Sequence, residues 1–194
     1  MILHRGHIIK FSYNYFMKKQ NTRELLLDSA FQTFYKQGFQ GANIATILTD
    51  VGINKGSMYH FFKSKKELGL AVVKERIERD LVAKYSKILE GEESISRLFK
   101  TLGSAPETLP YGCPLNKLSQ EMIYIDDKFK KVLSHAYVVF ESLITKILAK
   151  EQIADAPTKA QLIIVSYEGA LMIYHLNQNK MQFKNVLLEL EKSM

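Results

Sequence analysis

Cations, small residues and hydrogen-bond donors follow one another closely in residues 54–65 of this chain. Lys55, Gly56 and Ser57 offer a charge, a position without a side chain and a small hydroxyl. Such a run can approach a nucleic acid closely and donate hydrogen bonds to base edges or phosphate oxygens; a solvated surface hairpin is the alternative. The candidate DNA contacts are Asn43, Asn54, Lys55, Gly56, Ser57, Tyr59, His60, Lys63 and Lys65.

The single cysteine, Cys113, immediately precedes Pro114, a residue that suits the first position of a helix. A helix N-terminus stabilises anions and lowers the pKa of a thiol placed there, and Lys117 lies one turn further on. One interpretation is therefore a reactive thiol that senses oxidants or electrophiles, and the other is a small buried side chain with a structural role. Catalysis with Cys113 as nucleophile is a weaker third, because no histidine lies nearby in the sequence.

Residues that pair an apolar body with a polar tip recur in the C-terminal half, and His175 is one of them. Each alone is more often part of a core or an interface, but together they predict a mostly apolar small-molecule cavity with a few polar points. The candidate ligand contacts are Tyr111, Cys113, Asn116, Tyr124, His135, Tyr137, Tyr167 and Tyr174. The five histidines and one cysteine show no close metal-ligand spacing, so we predict no metal site and no cofactor.

A short helix with one apolar face is predicted just ahead of the basic run. Asn43 is its N-cap candidate, and Gly52 tolerates the left-handed conformation that ends such a helix. Its apolar residues recur at helical spacing and are Ile44, Ile47, Leu48 and Val51.

Asn54 can cap a second short helix, from Lys55 to about Phe62. Ser64 and Glu67 then have the spacing of a capping box that begins a third. Two short helices across a tight glycine turn form a helix-turn-helix, in which the second helix enters the major groove.

The first long helix is predicted from about Thr22 to Gln37, capped by Asn21 or Thr22 and stopped by Gly38. Its apolar stripe consists of Leu26, Leu27, Ala30 and Phe34. A further helix from Leu70 to about Leu89 contains no Gly or Pro and would be about 30 Å long.

The segment Arg23–Phe39 resembles the first helix of the TetR family of bacterial transcriptional regulators. The segment Gly52–Leu68 resembles the recognition helix of that family and the start of its fourth helix. The match covers roughly Thr22 to Val73. The resemblance implies a dimer, usually formed through two C-terminal helices in a four-helix bundle. It also implies that this dimer binds double-stranded operator DNA under the control of a small-molecule effector. The stretch around Gly112-Cys113 also resembles a Gly-Cys motif of one subgroup, which includes regulators of electrophile and acrylate detoxification.

Charge is distributed unevenly along the 194 residues. Residues 1–76 hold 12 Lys or Arg against 5 Asp or Glu, whereas residues 77–194 hold 15 of each. A basic N-terminal part with a neutral remainder indicates one nucleic-acid-facing end and one end with another role. No stretch approaches the ~18 uninterrupted apolar residues of a membrane span, and one cysteine suits the reducing cytoplasm.

Three segments are predicted. Residues 1–16 form an extension of doubtful status, because Met17 reads as a natural start; a basic arm that enters the minor groove is the alternative. Residues 17–68 form the three-helix DNA-binding domain. Residues 69–194 form an effector-binding and dimerisation domain.

No strand alternation persists anywhere, so the fold class is predicted to be all-α. After the fourth helix, helices are expected at Ser94–Leu102, Pro114 to about Ile125, Asp126–Lys150, Thr158 to about Asn179 and Gln182–Glu191, with a loop over Gly103–Gly112. Pro114 and Pro157 both lie where a helix begins.

The penultimate helix is apolar nearly all round, which indicates burial on several sides. A homodimer interface would account for this apolar surface, which is more than one core needs; a monomeric core is the alternative. The predicted interface residues are Leu162, Val165, Gly169, Ile173, Leu176, Val186, Leu187 and Leu190.

The leading functional hypothesis is therefore a dimeric, cytoplasmic, sequence-specific DNA-binding regulator. We expect it to be a repressor that a small-molecule effector releases from a palindromic operator, and not an enzyme. Two alternatives remain: a redox- or electrophile-sensing repressor that acts through Cys113, and an architectural DNA-binding protein without a ligand.

Overall fold

The computed structural model describes residues 5–194, with side chains from residue 21 onward, and every regular element in that range is helical. The predicted all-α fold class is confirmed. The chain forms two compact units that divide between Val72 and Val73. The first four residues of the predicted extension lie outside the described range, and the status of residues 1–16 stays a prediction.

The first unit contains four helices: α1 (Arg5–Gln37), α2 (Ile44–Val51), α3 (Lys55–Tyr59) and α4 (Lys65–Val72). The start predicted for α1 at about Thr22 is wrong, because Asn21 and Thr22 lie inside the helix and not at its N-terminus. No Gly or Pro stands between Gly6 and Gly38 to interrupt helix propagation.

The core of the first unit is built from the apolar stripes of its helices. The predicted stripe of α1 is buried in full, and Ile47 and Leu48 of α2 pack with it. α1 contacts both α2 and α4, so it forms the platform on which the two short helices lie. The remaining buried core residues of this unit are Phe39, Ala42, Met58, Phe62, Leu68 and Val72.

The second unit begins with a π-helical stretch, Val73–Glu78, and continues with seven α-helices. These are α5 (Arg79–Glu90), α6 (Ser94–Gly103), α7 (Ala105–Thr108), α8 (Pro114–Met122), α9 (Asp127–Lys150), α10 (Ala156–Asn177) and α11 (Lys180–Lys192).

Two features of the second unit differ from the prediction. The expected regular helix from Leu70 to Leu89 is interrupted by the π-helical stretch, which buries Val73 and Ile77. The predicted loop Gly103–Gly112 contains the one-turn helix α7, whose second position is a proline that needs no N–H partner there.

Helix α9 is the central element of the second unit, since it contacts α5, α6, α8 and α10. By length and composition alone, α9 could cross a membrane. One face of the helix instead packs into the core of the unit, and its buried side chains there include Leu143, Ile144, Ile147 and Leu148. We therefore interpret α9 as a core helix.

The turn between α2 and α3 depends on a left-handed residue. Gly52 has φ = 71°, and a Cβ added there would meet no atom within 4 Å. Backbone strain alone should therefore set the effect of substitution, and we expect Gly52→Ala to lower the free energy of unfolding by about 1 kcal/mol. Gly52→Asn should cost less, because asparagine tolerates this conformation. Urea denaturation, monitored by circular dichroism, measures the stability of both variants and of wild type. Equal stabilities for the three proteins would contradict backbone strain at residue 52.

Candidate functional site

Side-chain caps fix both helices of the helix-turn-helix. Asn43 Oδ1 accepts a hydrogen bond from the Ala45 N–H at 2.8 Å, and Asn54 Oδ1 accepts one from the Ser57 N–H at 2.8 Å. Between them, the left-handed Gly52 lets the Ile53 N–H donate to the Leu48 carbonyl at 3.0 Å. The predicted caps and glycine turn are present as expected.

Helix α3 presents a polar outer face and an apolar inner anchor. Met58 is buried, whereas Lys55, Gly56, Tyr59 and His60 are exposed. The predicted end near Phe62 is wrong: α3 ends at Tyr59, because i to i+3 hydrogen bonds take over at His60 and Phe61. This tighter turn brings Phe62 into the core.

Gly56 is close-packed against the cap of its own helix. A Cβ at this position would lie 3.3 Å from Asn54 Oδ1, the oxygen that accepts the Ser57 N–H and, at 3.1 Å, the Ser57 hydroxyl. A side chain at residue 56 would therefore crowd the cap as well as any DNA placed against the first turn.

The start of α4 is held by the predicted capping pair. Ser64 Oγ accepts from the Glu67 N–H at 3.1 Å, while Glu67 Oε2 accepts from the Lys63 N–H at 2.9 Å. Lys63 keeps an exposed side chain. Lys65 is different: its Nζ donates to the Gln40 carbonyl at 3.2 Å, so it fastens the head internally.

A pocket of about 270 Å³ opens on the second unit, between the N-terminal part of α8 and the last turns of α10. Three predicted ligand contacts line it, namely Tyr111, Cys113 and Asn116. The other lining residues are Gly112, Lys117, Gln120, Glu168, Leu171, Met172, His175 and Leu176. We call this cavity the α8–α10 pocket.

A buried carboxylate forms one wall of the pocket. Glu168 is 8% exposed, and its Oε2 accepts a hydrogen bond from Asn116 Nδ2 at 3.0 Å. Glu168 Oε1 is fully enclosed and has no hydrogen-bond partner. Burial raises the pKa of this carboxyl, and its side-chain hydrogen bonds only partly oppose that rise.

The environment of Cys113 disfavours the activated thiol, one of the two interpretations of this residue. Burial, and then the nearby negative charge of Glu168, raise the pKa of the thiol well above its usual value. Backbone hydrogen bonds from Leu115 and Asn116, the contribution of the helix N-terminus, lower it by less. These surroundings favour the small structural side chain over the reactive thiol, because desolvation outweighs the helix terminus; the thiol alternative stays a prediction.

Two tyrosines adjoin the same centre. Burial, with the charges of Glu168 and Cys113, raises the pKa of Tyr85 on α5 and of Tyr137 on α9. Tyr85 packs on Phe140, with ring centroids 5.0 Å apart. We call Tyr85, Cys113, Asn116, Tyr137 and Glu168 the polar centre.

Four predicted ligand contacts lie elsewhere, and none of them lines the pocket. Tyr124 is 90% exposed after α8, and His135 faces outward on α9 with its Nε2 3.7 Å from Glu78 Oε1. Tyr167 and Tyr174 both pack on the ring of Phe183 from α11. An amphipathic residue type does not reveal which side of a helix it occupies, and a ligand role for these four residues stays a prediction that this pocket does not support.

Glu168 is the site residue that sequence reasoning missed. A signal for it exists, because it is the only Asp, Glu, Lys or Arg between Lys159 and Lys180. A lone charge in an otherwise apolar helix is expected to be paired or functional when it is buried. Within the described part of the chain, no group of three or more His, Cys, Asp or Glu is placed to hold a metal ion.

The predicted interface residues divide into two sets. Leu162, Val165, Ile173 and Leu176 are exposed on α10, and Leu176 is 79% exposed. Leu187 and Leu190 are buried in the core of their own unit, where α11 packs on α6 and α10. Their assignment to an interface is therefore wrong; Val186, partly buried against the same core, and Gly169, half-buried on α10, stay predictions.

Two family models match the chain. One, described as bacterial regulatory proteins, tetR family, matches residues 26–72, which include the helix-turn-helix. The other, described as transcriptional regulator LmrA/YxaF-like, C-terminal domain, matches residues 99–187, which include the pocket. The more specific resemblance around Gly112-Cys113 stays a prediction.

Similar proteins have been described as regulators. An uncharacterized HTH-type transcriptional regulator from Lactococcus lactis is 29% identical over 82% of this chain and 86% of that protein. The HTH-type transcriptional repressor NemR of Escherichia coli is 33% identical over 37% of this chain and 34% of its own. A TetR-family regulator from Agrobacterium tumefaciens has the same fold, with a TM-score of 0.79 at 15% identity, covering 91% of this chain and 98% of its own.

The raised pKa of Glu168 predicts a pH-dependent stability. The folded state then binds more protons than the unfolded state above the ordinary Glu pKa of 4.5, so stability falls as pH rises from there. We expect Glu168→Gln to raise the free energy of unfolding at pH ~8 by on the order of 1 kcal/mol relative to wild type, and to leave it unchanged below pH ~4. Urea denaturation at both pH values measures the difference. Glu90→Gln, an exposed carboxylate at the end of α5, is the control. A pH-independent difference would contradict a buried ionisable carboxylate.

The raised pKa of Cys113 predicts slow alkylation. At pH ~7.5, iodoacetamide should modify the folded protein at least about tenfold more slowly than the chain in denaturant, because the thiolate is the reactive form. Glu168→Gln should increase the folded rate by removing the adjacent negative charge. Mass spectrometry of the intact chain reads a single site, since Cys113 is the only cysteine. A folded rate equal to the denatured one would restore the reactive-thiol interpretation.

Proposed function

Because the chain belongs to the TetR family of bacterial regulatory proteins and is a DNA-binding transcriptional regulator, we propose that it is a homodimeric repressor released from a palindromic operator by a small-molecule effector. The observation that carries the proposal is the outer face of α3, where exposed donors stand on a helix fixed by caps at its own N-terminus and at those of its neighbours. We further propose that it acts in the cytoplasm and has no catalytic role.

The DNA contact is proposed for the first turn of α3 and its exposed flank. Lys55, Tyr59 and His60 offer donors there, and Gly56 leaves room for a phosphate or a base edge. Lys63 adds an exposed cation after the helix. Lys65 contributes mainly by holding the head together, since its Nζ already contacts the Gln40 carbonyl and lies 4.8 Å from the centroid of the Phe39 ring.

The homodimer is proposed to form through α10 and α11. Residues 162, 165, 169, 173 and 176 recur every three or four positions, so they form one stripe along α10, and its leucine, valine and isoleucine side chains are exposed. Exposed apolar surface of this extent is typical of an interaction site. Met181 and Leu188 extend exposed apolar surface onto α11. A two-fold interface of this kind pairs two heads for the half-sites of a palindrome.

The α8–α10 pocket is the proposed effector site. Its volume of about 270 Å³ suits a small organic molecule, and it combines apolar walls with three residues of the polar centre, Cys113, Asn116 and Glu168. An effector that binds more tightly to a conformation with low operator affinity would shift the population toward it and release the operator. The pocket favours this mechanism over a ligand-independent architectural role, and the raised pKa of Cys113 disfavours a thiol sensor.

Selection of bound sequences from a random DNA pool, at two salt concentrations, tests the DNA-binding proposal. We expect an enriched palindrome and a steep loss of affinity with salt. Lys55→Ala should then weaken binding to that palindrome by about tenfold or more and reduce the salt dependence, without changing the unfolding midpoint. Lys131→Ala, which removes an exposed cation from α9, is the matched control.

Two results would contradict the proposal. Salt-sensitive binding without an enriched sequence would favour the architectural alternative. An enriched site that lacks two-fold symmetry, together with a monomeric mass in solution, would rule out the dimer.

A further inference from the structure

The α8–α10 pocket contains hydrogen-bonding capacity that the protein itself does not use. Two enclosed atoms of its lining residues, Glu168 Oε1 and His175 Nε2, have no hydrogen-bond partner. Buried polar atoms are rarely left without a partner, and unsatisfied ones indicate strain or a missing ligand. A ligand that supplies donors is the simplest way to satisfy both residues.

The carboxylate is also without a counter-charge. Asn116, a neutral amide, donates a hydrogen bond to Glu168 Oε2 at 3.0 Å, the Cys113 thiol is the other hydrogen-bonding group that lowers the pKa of this carboxyl, and no cation contributes to that pKa. Burying an ionised carboxylate without a counter-ion is costly, and a positively charged partner placed inside the same cavity offsets that cost.

A basic side chain of the pocket, Lys117, lies beside an aromatic ring. Lys117 lines the same cavity, but its Nζ lies 5.4 Å from the centroid of the Tyr111 ring. The pocket therefore has a cationic rim beside Tyr111 and an anionic wall at Glu168.

The remaining walls fit an apolar body. Glu168, Leu171, Met172 and His175 lie at positions i, i+3, i+4 and i+7 of α10, so they share one face that extends over ~10 Å. Leu171 and Met172 lie between the two polar residues. A ligand with a polar head at Glu168 and an apolar body along Leu171 and Met172 matches this order.

We propose that the effector of the α8–α10 pocket carries a positively charged nitrogen that pairs with Glu168, next to an apolar or aromatic body. The inference rests on the proposed function, because it takes the pocket to be the effector site. It adds the chemical class of the effector: an organic amine or a related cation.

Three probes with one shared body test the charge directly: 3-phenylpropylamine, 3-phenylpropan-1-ol and 3-phenylpropanoate. Binding is measured by protein-observed NMR on the full chain without DNA, at pH ~7.5. Fragments of this size bind with millimolar or tighter affinity when they fit a site. We expect the amine to bind about tenfold or more tightly than the alcohol, and the carboxylate to bind most weakly.

Matched variants assign the preference to one residue. Glu168→Gln keeps the shape of the side chain and an oxygen that accepts from Asn116, but it removes the charge. It should lower amine affinity by about tenfold or more while it changes alcohol affinity by less than about twofold. Glu90→Gln removes an exposed carboxylate outside the pocket and should leave both affinities unchanged.

The outcomes separate this inference from the proposed function. Equal binding of amine and alcohol, or an amine preference that survives in Glu168→Gln, would overturn the inference. Failure of the amine to bind at ~10 mM would overturn it as well. If the amine binds through Glu168 yet leaves the affinity for the selected operator unchanged, the cation site holds and the effector role fails.

Discussion

A single carboxylate inside an apolar helix constrains the second unit more than any other group. Ionised Glu168 needs polar neighbours, and these come from different elements: Asn116 and Cys113 at the start of α8, Tyr85 on α5 and Tyr137 on α9. Three helices, α5, α8 and α9, must therefore meet around one point of α10. The cavity opens beside that point and is lined there by Cys113, Asn116 and Glu168.

The first unit is organised by a different kind of interaction, the local capping of helix ends. Asn43, Asn54 and Ser64 each bond to a backbone N–H two or three residues ahead. These bonds satisfy donors that the short helices would otherwise leave unpaired. Because helices of five and eight residues are marginal on their own, the caps and the platform of α1 together hold the outer face of α3 in place.

Local interactions explain which features were predictable from the sequence. The caps at Asn43, Asn54 and Ser64, the Gly52 turn and the stripe of α1 depend on residues within four positions of one another, and these are present in the structure, whereas the cap predicted at Asn21 or Thr22 is not. The pocket depends on how helices from distant parts of the sequence meet. Tyr124 and Tyr111 look alike as sequence, yet only Tyr111 lines the cavity. Likewise Leu187 and Leu188 are neighbours, but packing against α6 and α10 buries the first and leaves the second exposed.

The π-helical stretch of the second unit has a consequence for how this chain can vary. A π turn holds one more residue than an α turn, so it absorbs an inserted residue without breaking the helix. Each residue of an α-helix advances the side-chain direction by about 100°. Loss of one residue from Val73–Glu78 would therefore convert the π turn to an α turn and leave Tyr85 and Ile88 facing α9, whereas loss of one residue from α5 ahead of Tyr85 would rotate both away. A length change of one residue should thus be tolerated in the π-helical stretch, as in the surface connections, and selected against within α5, where it would change the helical phase.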